Sequence, residues 1–249
     1  HLTVPKLYLE NGGFYVLPNL AFSNFPFLIE YIFMIPLALG SLCGPKLIHA
    51  SCFFFTLMMI YHLGKKTGTP HTGILAAAVF GVTPFIPLLA SWSFIEFGLT
   101  YYILLAFWFC LELLEHSNTT RKGYLYAAYT GGSAGLAVSC KYTALAVLAF
   151  FCVVPLVYSL RYRRTRFGFY LGLGTIIGLA GFLIACPWFL KNWYLFGNPV
   201  YPFAGSLFPT PNWSEFNALF FQYHAGLKGS LNAVKQLPVY YQIIDFITL

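Results

Sequence analysis

The chain has 249 residues, 59% of them hydrophobic and 8% charged, with a formal net charge of +7. Soluble domains carry roughly 45–50% apolar and about 25% charged residues, so this balance, with a mean hydropathy of +0.71, excludes a soluble globular domain. The basic residues sit in short clusters between apolar runs, which argues against nucleic acid as a partner despite the positive charge.

Residues 1–25 mix aromatics, Pro and Asn without sustained periodicity. Pro5 to Asn11 reads as a short interfacial helix, broken by Asn11-Gly-Gly13. From Pro26 to Leu42 runs an apolar segment containing Glu30 and Pro36, with Asn24 and Pro26 as start signals. Six clear apolar runs follow at about 47–64, 72–90, 97–114, 124–140, 142–160 and 167–188. Each has roughly the 17–25 residues needed to cross about 30 Å of hydrocarbon. Backbone groups in lipid must be satisfied within the segment, and no run has the dyad alternation of a β-barrel, so these runs read as helices. The expected fold class is all-α: a multispanning integral membrane helix bundle.

Loop charges set the expected orientation. Lys65-Lys66, Arg121-Lys122 and Arg161-Tyr-Arg-Arg-Thr-Arg166 follow the first, third and fifth runs, so they share one side. The positive-inside rule makes that side cytoplasmic. The opposite side then receives Ser91-Trp-Ser-Phe-Ile-Glu96, the turn at Lys141, and everything after Trp188. The run 47–64 must enter from outside, and residues 1–25, aromatic and poor in charge, also read as external. A segment with both ends on one side does not cross, so 26–42 reads as a helix lying along or dipping into the outer leaflet. The other reading is an ordinary crossing that puts 1–25 inside. The expected organisation is an extracytoplasmic loop with interfacial helices over 1–46, a six-helix transmembrane module over 47–188, and an extracytoplasmic loop over 189–249. Residues 213–235 are moderately amphipathic, with Glu215, His224, Lys228 and Lys235. His1 opens directly into a loop and Leu249 stops inside the apolar stretch 239–249, so the expectation is a fragment truncated at both ends.

The six cysteines, Cys43, Cys52, Cys110, Cys140, Cys152 and Cys186, have no CxxC spacing and read as small hydrophobes. Asn118-Thr-Thr and Asn212-Trp-Ser match the glycosylation sequon, the first on the expected cytoplasmic side. His49 and His62 lie within a span and read as hydrogen-bonding between helices. No HxxH, HExxH, GxSxG or P-loop pattern is present.

Seven acidic residues make each position informative, because a carboxylate near hydrocarbon is costly and marks a site by default. Glu112 and Glu115, beside His116 and the basic loop, read as solvated. Glu96 opens a span on the outer face after Trp92. Either it closes a capping box with Ser93, or it is a carboxylate or metal ligand facing an outer cavity. Glu30 faces either headgroups or that same cavity. Lys141, between two long apolar runs, either snorkels to the interface or meets the phosphate of a lipid carrier.

Four stretches carry a family resemblance: His1-Leu-Thr-Val-Pro-Lys-Leu-Tyr-Leu, Ser23-Asn-Phe-Pro-Phe-Leu-Ile-Glu30, Gly135-Leu-Ala-Val-Ser-Cys-Lys-Tyr-Thr-Ala-Leu145 and Pro187-Trp-Phe-Leu-Lys-Asn-Trp-Tyr-Leu-Phe-Gly-Asn-Pro-Val-Tyr-Pro202. In this order and topology the chain resembles the GT-C superfamily of multispanning glycosyltransferases that use polyprenyl-phosphate-linked sugars, in particular the bacterial protein-mannosyltransferase and aminoarabinose-transferase type. The resemblance implies a membrane-parallel helix in the first outer loop and a catalytic Asp just upstream of His1, outside this sequence. It implies catalytic roles for Glu96 and His1, and a metal site at Glu30 and Glu96 for a divalent ion. Lys141, Tyr142, Lys191 and Asn192 are implied as substrate-binding residues. The implied partners are a polyprenyl-phosphate-linked sugar donor and membrane lipids. The implied location is the bacterial inner (plasma) membrane with the active site facing the periplasm or exterior. Two other readings compete: a transporter or flippase for a lipid-linked substrate, and a non-catalytic membrane subunit. Inverted repeats and broken midplane helices, the marks of transporters, are not evident in the sequence.

Overall fold

The computed structural model describes residues 1–17, 20, 23–116, 120–214, 217, 218 and 221. Asn118, Glu215, His224, Lys228, Lys235 and the run 239–249 lie outside the described residues. The described elements are helical: α1 (Thr3–Glu10), α2 (Leu28–Ala38), α3 (Gly44–Thr67), α4 (Pro70–Val82), α5 (Phe85–Ala90), α6 (Glu96–His116), α7 (Thr120–Cys140), α8 (Ala144–Tyr162) and α9 (Phe167–Phe196), with a 3-10 turn at Arg164–Arg166 before α9. Gly44–Thr67, Glu96–His116, Ala144–Tyr162 and the run Arg164–Phe196 are long and apolar enough to cross a membrane. Large side chains such as Phe54, Met58, Phe107, Val157 and Leu183 stand exposed along them, a surface that a soluble monomer does not tolerate. The protein is an all-helical membrane bundle.

Sequence chemistry explains the element ends. α2 has 11 residues, so it is about 16 Å long and too short to cross about 30 Å of hydrocarbon by itself. It stops where Gly40 takes a φ of +77°, a conformation that suits a residue without Cβ. The Ser41 hydroxyl then accepts a hydrogen bond from Gly44 N at 3.0 Å, and Pro45 fills the first turn of α3. A reciprocal capping box between Thr69 and Thr72, with Pro70 beside it, opens α4. The expected single span over 72–90 is instead two helices. α4 ends at Val82 and α5 starts at Phe85, because Pro84 has no N–H to offer and disfavours helical geometry at Thr83.

The chain divides into two compact units. One comprises His1–Phe14 with Phe25–Trp188, the other Tyr15–Asn24 with Phe189–Leu249. Within the first, contacts fix the direction of each helix. Phe97 N meets His49 at one end, and Lys66 meets Glu112 at the other, so α3 and α6 run parallel while α4 and α5 carry the chain back between them. α7 returns antiparallel to α6, with Phe109 beside Tyr126 and Tyr129 and Cys140 beside Ile95. α8 is antiparallel to α7, through the tight turn 141–143. These directions gather Lys65, Lys66, Arg121, Lys122 and the 161–166 arginines at one end, as the loop charges led one to expect. The Trp92 loop, Lys141, α1 and α2 gather at the other.

α7 is not among the four apolar spans, and its packing gives the reason. Ala127, Thr130, Ala134, Ala137, Val138 and Cys140 are all buried, while Tyr124, Leu125 and Tyr129 stay exposed, so α7 packs mainly against protein over its second half and needs small residues there more than greasy ones. Thr130 and Ser139 satisfy their hydroxyls on the carbonyls of Tyr126 and Gly135 at 2.8 and 2.9 Å. Gly131 and Gly135 let α9 approach closely: a Cβ at Gly131 would strike the Ile177 carbonyl, and one at Gly135 would lie 2.5 Å from Gly181 O. On the same helix, Gly132 has nothing within 4 Å of that position. Gly135→Ala is therefore expected to lower thermal stability by about 1–3 kcal/mol, while Gly132→Ala leaves it unchanged or raises it by up to about 1 kcal/mol. Paired thermal unfolding curves in one detergent check the contrast.

Candidate functional site

The end of the bundle that carries the Trp92 loop holds the candidate site. Its floor is an apolar cluster of Ile29, Phe33, Ile95 and Cys140, with Leu2, Ile48, Leu99 and Tyr102 packed against it. This cluster locks α2 to the start of α6 and the end of α7. Charged side chains are set on it from three elements.

Glu96, the first residue of α6, turns its Oε2 back to accept a hydrogen bond from Ile95 N at 3.0 Å. Its Oε1 lies 3.8 Å from Lys141 Nζ on the α7–α8 turn, and both side chains are part exposed, 37% and 47%. The capping box with Ser93 does not form, since Ser93 Oγ is buried without a hydrogen-bond partner among the described residues. Glu30 is buried on α2. Its Oε1 accepts a hydrogen bond from His1 Nδ1 at 2.6 Å, and its Oε2 is buried with no partner among the described residues. The His1 ring also meets Phe94 edge-on, 5.3 Å between centroids. The contacts thus run from Glu30 through His1 to Phe94, two residues before the Glu96–Lys141 pair. Tyr142 packs its ring 5.6 Å from Phe25.

His49 fixes the backbone that carries Phe94 and Glu96. Its imidazole is fully buried, donates from Nδ1 to Trp92 O at 2.8 Å and accepts at Nε2 from Phe97 N at 3.2 Å. One ring therefore satisfies an orphan N–H of the first turn of α6 and pins the loop before it. Both contacts require the neutral ring with its proton on Nδ1. This bears out the reading of His49 as a bridge between helices. Thr56 adds a bond to Phe97 O at 3.3 Å.

Lys191 and Asn192 belong to the second unit. There Lys191 Nζ lies 3.4 Å from Asn24 Oδ1, and buried Asn192 donates to Asn24 O at 3.0 Å, so the two side chains hold the segment before α2. In the same unit Tyr201 stacks on Phe196, 4.0 Å between centroids. Its hydroxyl donates to Pro211 O at 2.7 Å, and burial pushes the phenol pKa up, which keeps that donor protonated.

At the opposite end of the first unit, Glu115 is exposed as expected, 54%, while the expected solvation of Glu112 is corrected. Lys66 Nζ lies 2.8 Å from Glu112 Oε1 and 2.7 Å from Glu115 Oε2, and 5.2 Å from the centre of the Trp108 ring. The side chains of Lys66 and Glu112 are only 17% and 15% exposed. Glu112, Glu115 and His116 are also the one group of three potential metal ligands in mutual reach among the described residues. An ammonium already fills the position of a cation there. No sequence signal announces this pairing, because the partners are 46 and 49 residues apart.

A family model described as a domain of unknown function, DUF8201, matches residues 31–238. The chain belongs to the DUF8201 family. Glu96, Lys141, Lys191 and Asn192 lie inside the matched segment, while His1 and Glu30 precede it. No curated protein and no solved structure gives a significant match to this DUF8201 chain.

Two stability experiments follow from the paired ends. His49→Phe keeps a ring but strands Trp92 O and Phe97 N, and is expected to cost about 1–3 kcal/mol in thermal or denaturant unfolding. Lys66→Met leaves Glu112 with only His116, 3.4 Å away, and is expected to cost roughly 1–3 kcal/mol, whereas Lys66→Met/Glu112→Leu recovers most of that loss. A double-mutant cycle on these two positions reads the coupling directly.

Proposed function

We propose that this DUF8201 protein is a membrane glycosyltransferase that moves a sugar from a polyprenyl-phosphate-linked donor to an acceptor hydroxyl. The observation that carries the reading is the pairing of Lys141 with Glu96 at 3.8 Å, at the same end of the bundle as the His1–Glu30 pair at 2.6 Å. A half-exposed pair at that distance contributes little stability, about 0–1 kcal/mol, so an incoming phosphate takes the ammonium at small cost. Lys141 then offsets the charge that grows on the departing lipid phosphate, and the acyl chain stays in the bilayer.

The chemistry is an inverting displacement. The acceptor oxygen forms a bond to the anomeric carbon as the bond from that carbon to the phosphate oxygen breaks, and polyprenyl phosphate leaves. Glu96, released from Lys141, orients the acceptor or takes its proton. His1 is the second candidate base. With Nδ1–H held by Glu30, its Nε2 is the acceptor nitrogen, in the manner of a carboxylate-oriented imidazole. The orphaned Glu30 Oε2 also suits a divalent cation. Glu30 and His1 would hold such an ion with the donor phosphate, and it would supply charge neutralisation there. Glu96 keeps its Oε2 on Ile95 N and has the base's role here, so it is left out of that ligand set. Cell-envelope location, with the site on the extracytoplasmic face of a bacterial inner membrane, belongs to this same proposal.

One observation favours a second reading, a carrier or flippase of a lipid-linked substrate: the helix break at Thr83-Pro84, since transporters use interrupted helices at their sites. Reconstitution distinguishes the two. In proteoliposomes supplied with a polyprenyl-phosphate-linked sugar, sugar release and transfer support the transferase. Movement of intact donor between leaflets supports the carrier. Under the transferase reading, Lys141→Ala weakens polyprenyl phosphate binding by at least about tenfold. Glu96→Gln leaves that binding within about twofold and lowers turnover about 10²–10⁴-fold. Unchanged binding in Lys141→Ala removes Lys141 from the phosphate site.

A further inference from the structure

We propose that the turn joining α8 to α9 binds an anionic glycerophospholipid, with its phosphate against Arg161 and Arg164 and one acyl chain along an exposed ridge of α8. This site lies at the end of the first unit opposite the Glu96–Lys141 pair and does not depend on the transferase reading.

Three observations converge on it. Leu160, Arg161, Tyr162 and Arg164 line an open hollow of about 510 Å³, so two guanidinium groups, an aromatic ring and an apolar side chain share one space. Phe150, Val153, Val157 and Leu160 are each more than half exposed. Their spacing of three, four and three residues places them on one stripe of α8, and that stripe ends at the hollow through Leu160. A chain lying along the stripe therefore delivers its phosphate to Arg161 and Arg164. The third observation is electrostatic. Lys66 and Lys141 both have carboxylate partners, whereas among the described residues no carboxylate lies within ion-pair distance of Arg161, Arg163, Arg164 or Arg166.

The turn is built rather than loose. Arg163 N donates to Ser159 O at 2.8 Å and Arg166 N to Arg163 O at 2.9 Å. The Ser159 hydroxyl donates to Arg163 O at 3.2 Å, and the Arg161 guanidinium sits over the Tyr162 ring at 5.5 Å. The positive end of the α9 dipole faces the same turn, which adds to its preference for an anion. Guanidinium groups bind phosphate through paired N–H donors, and basic clusters at the end of a membrane helix read as anionic-lipid sites. A soluble anionic partner would use the arginines but leave the α8 stripe unused; a phospholipid uses both.

The test uses the purified chain in a neutral detergent, with dioctanoyl phosphatidylglycerol, dioctanoyl phosphatidylcholine and inorganic phosphate as probes, read by native mass spectrometry and calorimetry. The expected result is that Arg161→Gln/Arg164→Gln weakens phosphatidylglycerol binding by about thirty-fold, with phosphatidylcholine binding unaltered. Val153→Asn/Val157→Asn is expected to weaken phosphatidylglycerol severalfold without changing inorganic phosphate binding. Arg121→Gln/Lys122→Gln, at the same end of the bundle, is the control for diffuse charge and leaves phosphatidylglycerol binding intact. Three results each overturn the proposal: equal binding by wild type and Arg161→Gln/Arg164→Gln, an equal loss in Arg121→Gln/Lys122→Gln, or inorganic phosphate binding as tightly as phosphatidylglycerol. Gel filtration and helix content by circular dichroism certify each variant, and Arg164→Gln alone replaces the double variant if the latter does not fold.

Discussion

The neutral imidazole of His49, bonded on both nitrogens, is the contact on which the candidate site depends. A loop that ends in the first turn of a membrane helix has unsatisfied N–H groups and no water in the hydrocarbon to take them. The bonds to Trp92 O at 2.8 Å and Phe97 N at 3.2 Å meet part of that need and also fix where Phe94 and Glu96 point. Glu96 meets Lys141, and Phe94 meets His1, because this one ring holds the intervening backbone. A buried polar group that is fully satisfied rigidifies its surroundings, and a half-satisfied one is costly, so the same ring is both a constraint and a vulnerability.

The two ends of the bundle use charge differently. At the Lys66 end, the ammonium is enclosed by two carboxylates and an indole ring and ties α3 to α6 as a structural clasp. At the Glu96 end, the ammonium touches one carboxylate at 3.8 Å with both groups part exposed. The first arrangement resists exchange and the second permits it. Between the two ends, α7 removes the need for charge altogether, since its small residues and the glycines facing α9 pack backbone against backbone.

Much of the fold was legible because lipid leaves few options. Apolar run length alone located α3, α6, α8 and α9, and loop charge correctly grouped the basic turns at one end. Interruption of 72–90 was legible too, in Thr83-Pro84, but a hydropathy run counts apolar residues and is blind to a missing N–H. α7 reads as one more span by length, yet its burial follows from Gly131, Gly135 and the serines rather than from hydropathy. In the candidate site, Glu96, Lys141, Glu30 and His1 were conspicuous because ionisable groups are scarce in such a chain. Their partners were not. For Glu96 the sequence offers a local capping pattern with Ser93 or an outward-facing cavity, whereas its partner Lys141 is brought in by the α6–α7 hairpin. Glu112 was read as solvated because nothing in the sequence ties it to Lys66. Pairings between distant residues are set by helix packing, and that information is spread over the whole core instead of residing in a motif.

On the two proposals made above, the contrast between Lys141 and the 161–166 arginines is a contrast between two phosphate sites. A compact ammonium on a flexible stem, held by a weak acid contact, suits a phosphate that must arrive, react and leave, because the carboxylate takes the cation back. Planar guanidinium groups without an acidic partner, set at the end of an apolar stripe, suit a phosphate that stays. An exchangeable cation without a resting partner would be trapped by whatever anionic headgroup came first. Arginines already paired with acids would hold a resident lipid poorly. Carboxylates are present beside Lys141 and lacking beside the arginines among the described residues, and under both proposals that placement would separate the two sites by residence time as well as by position in the bundle.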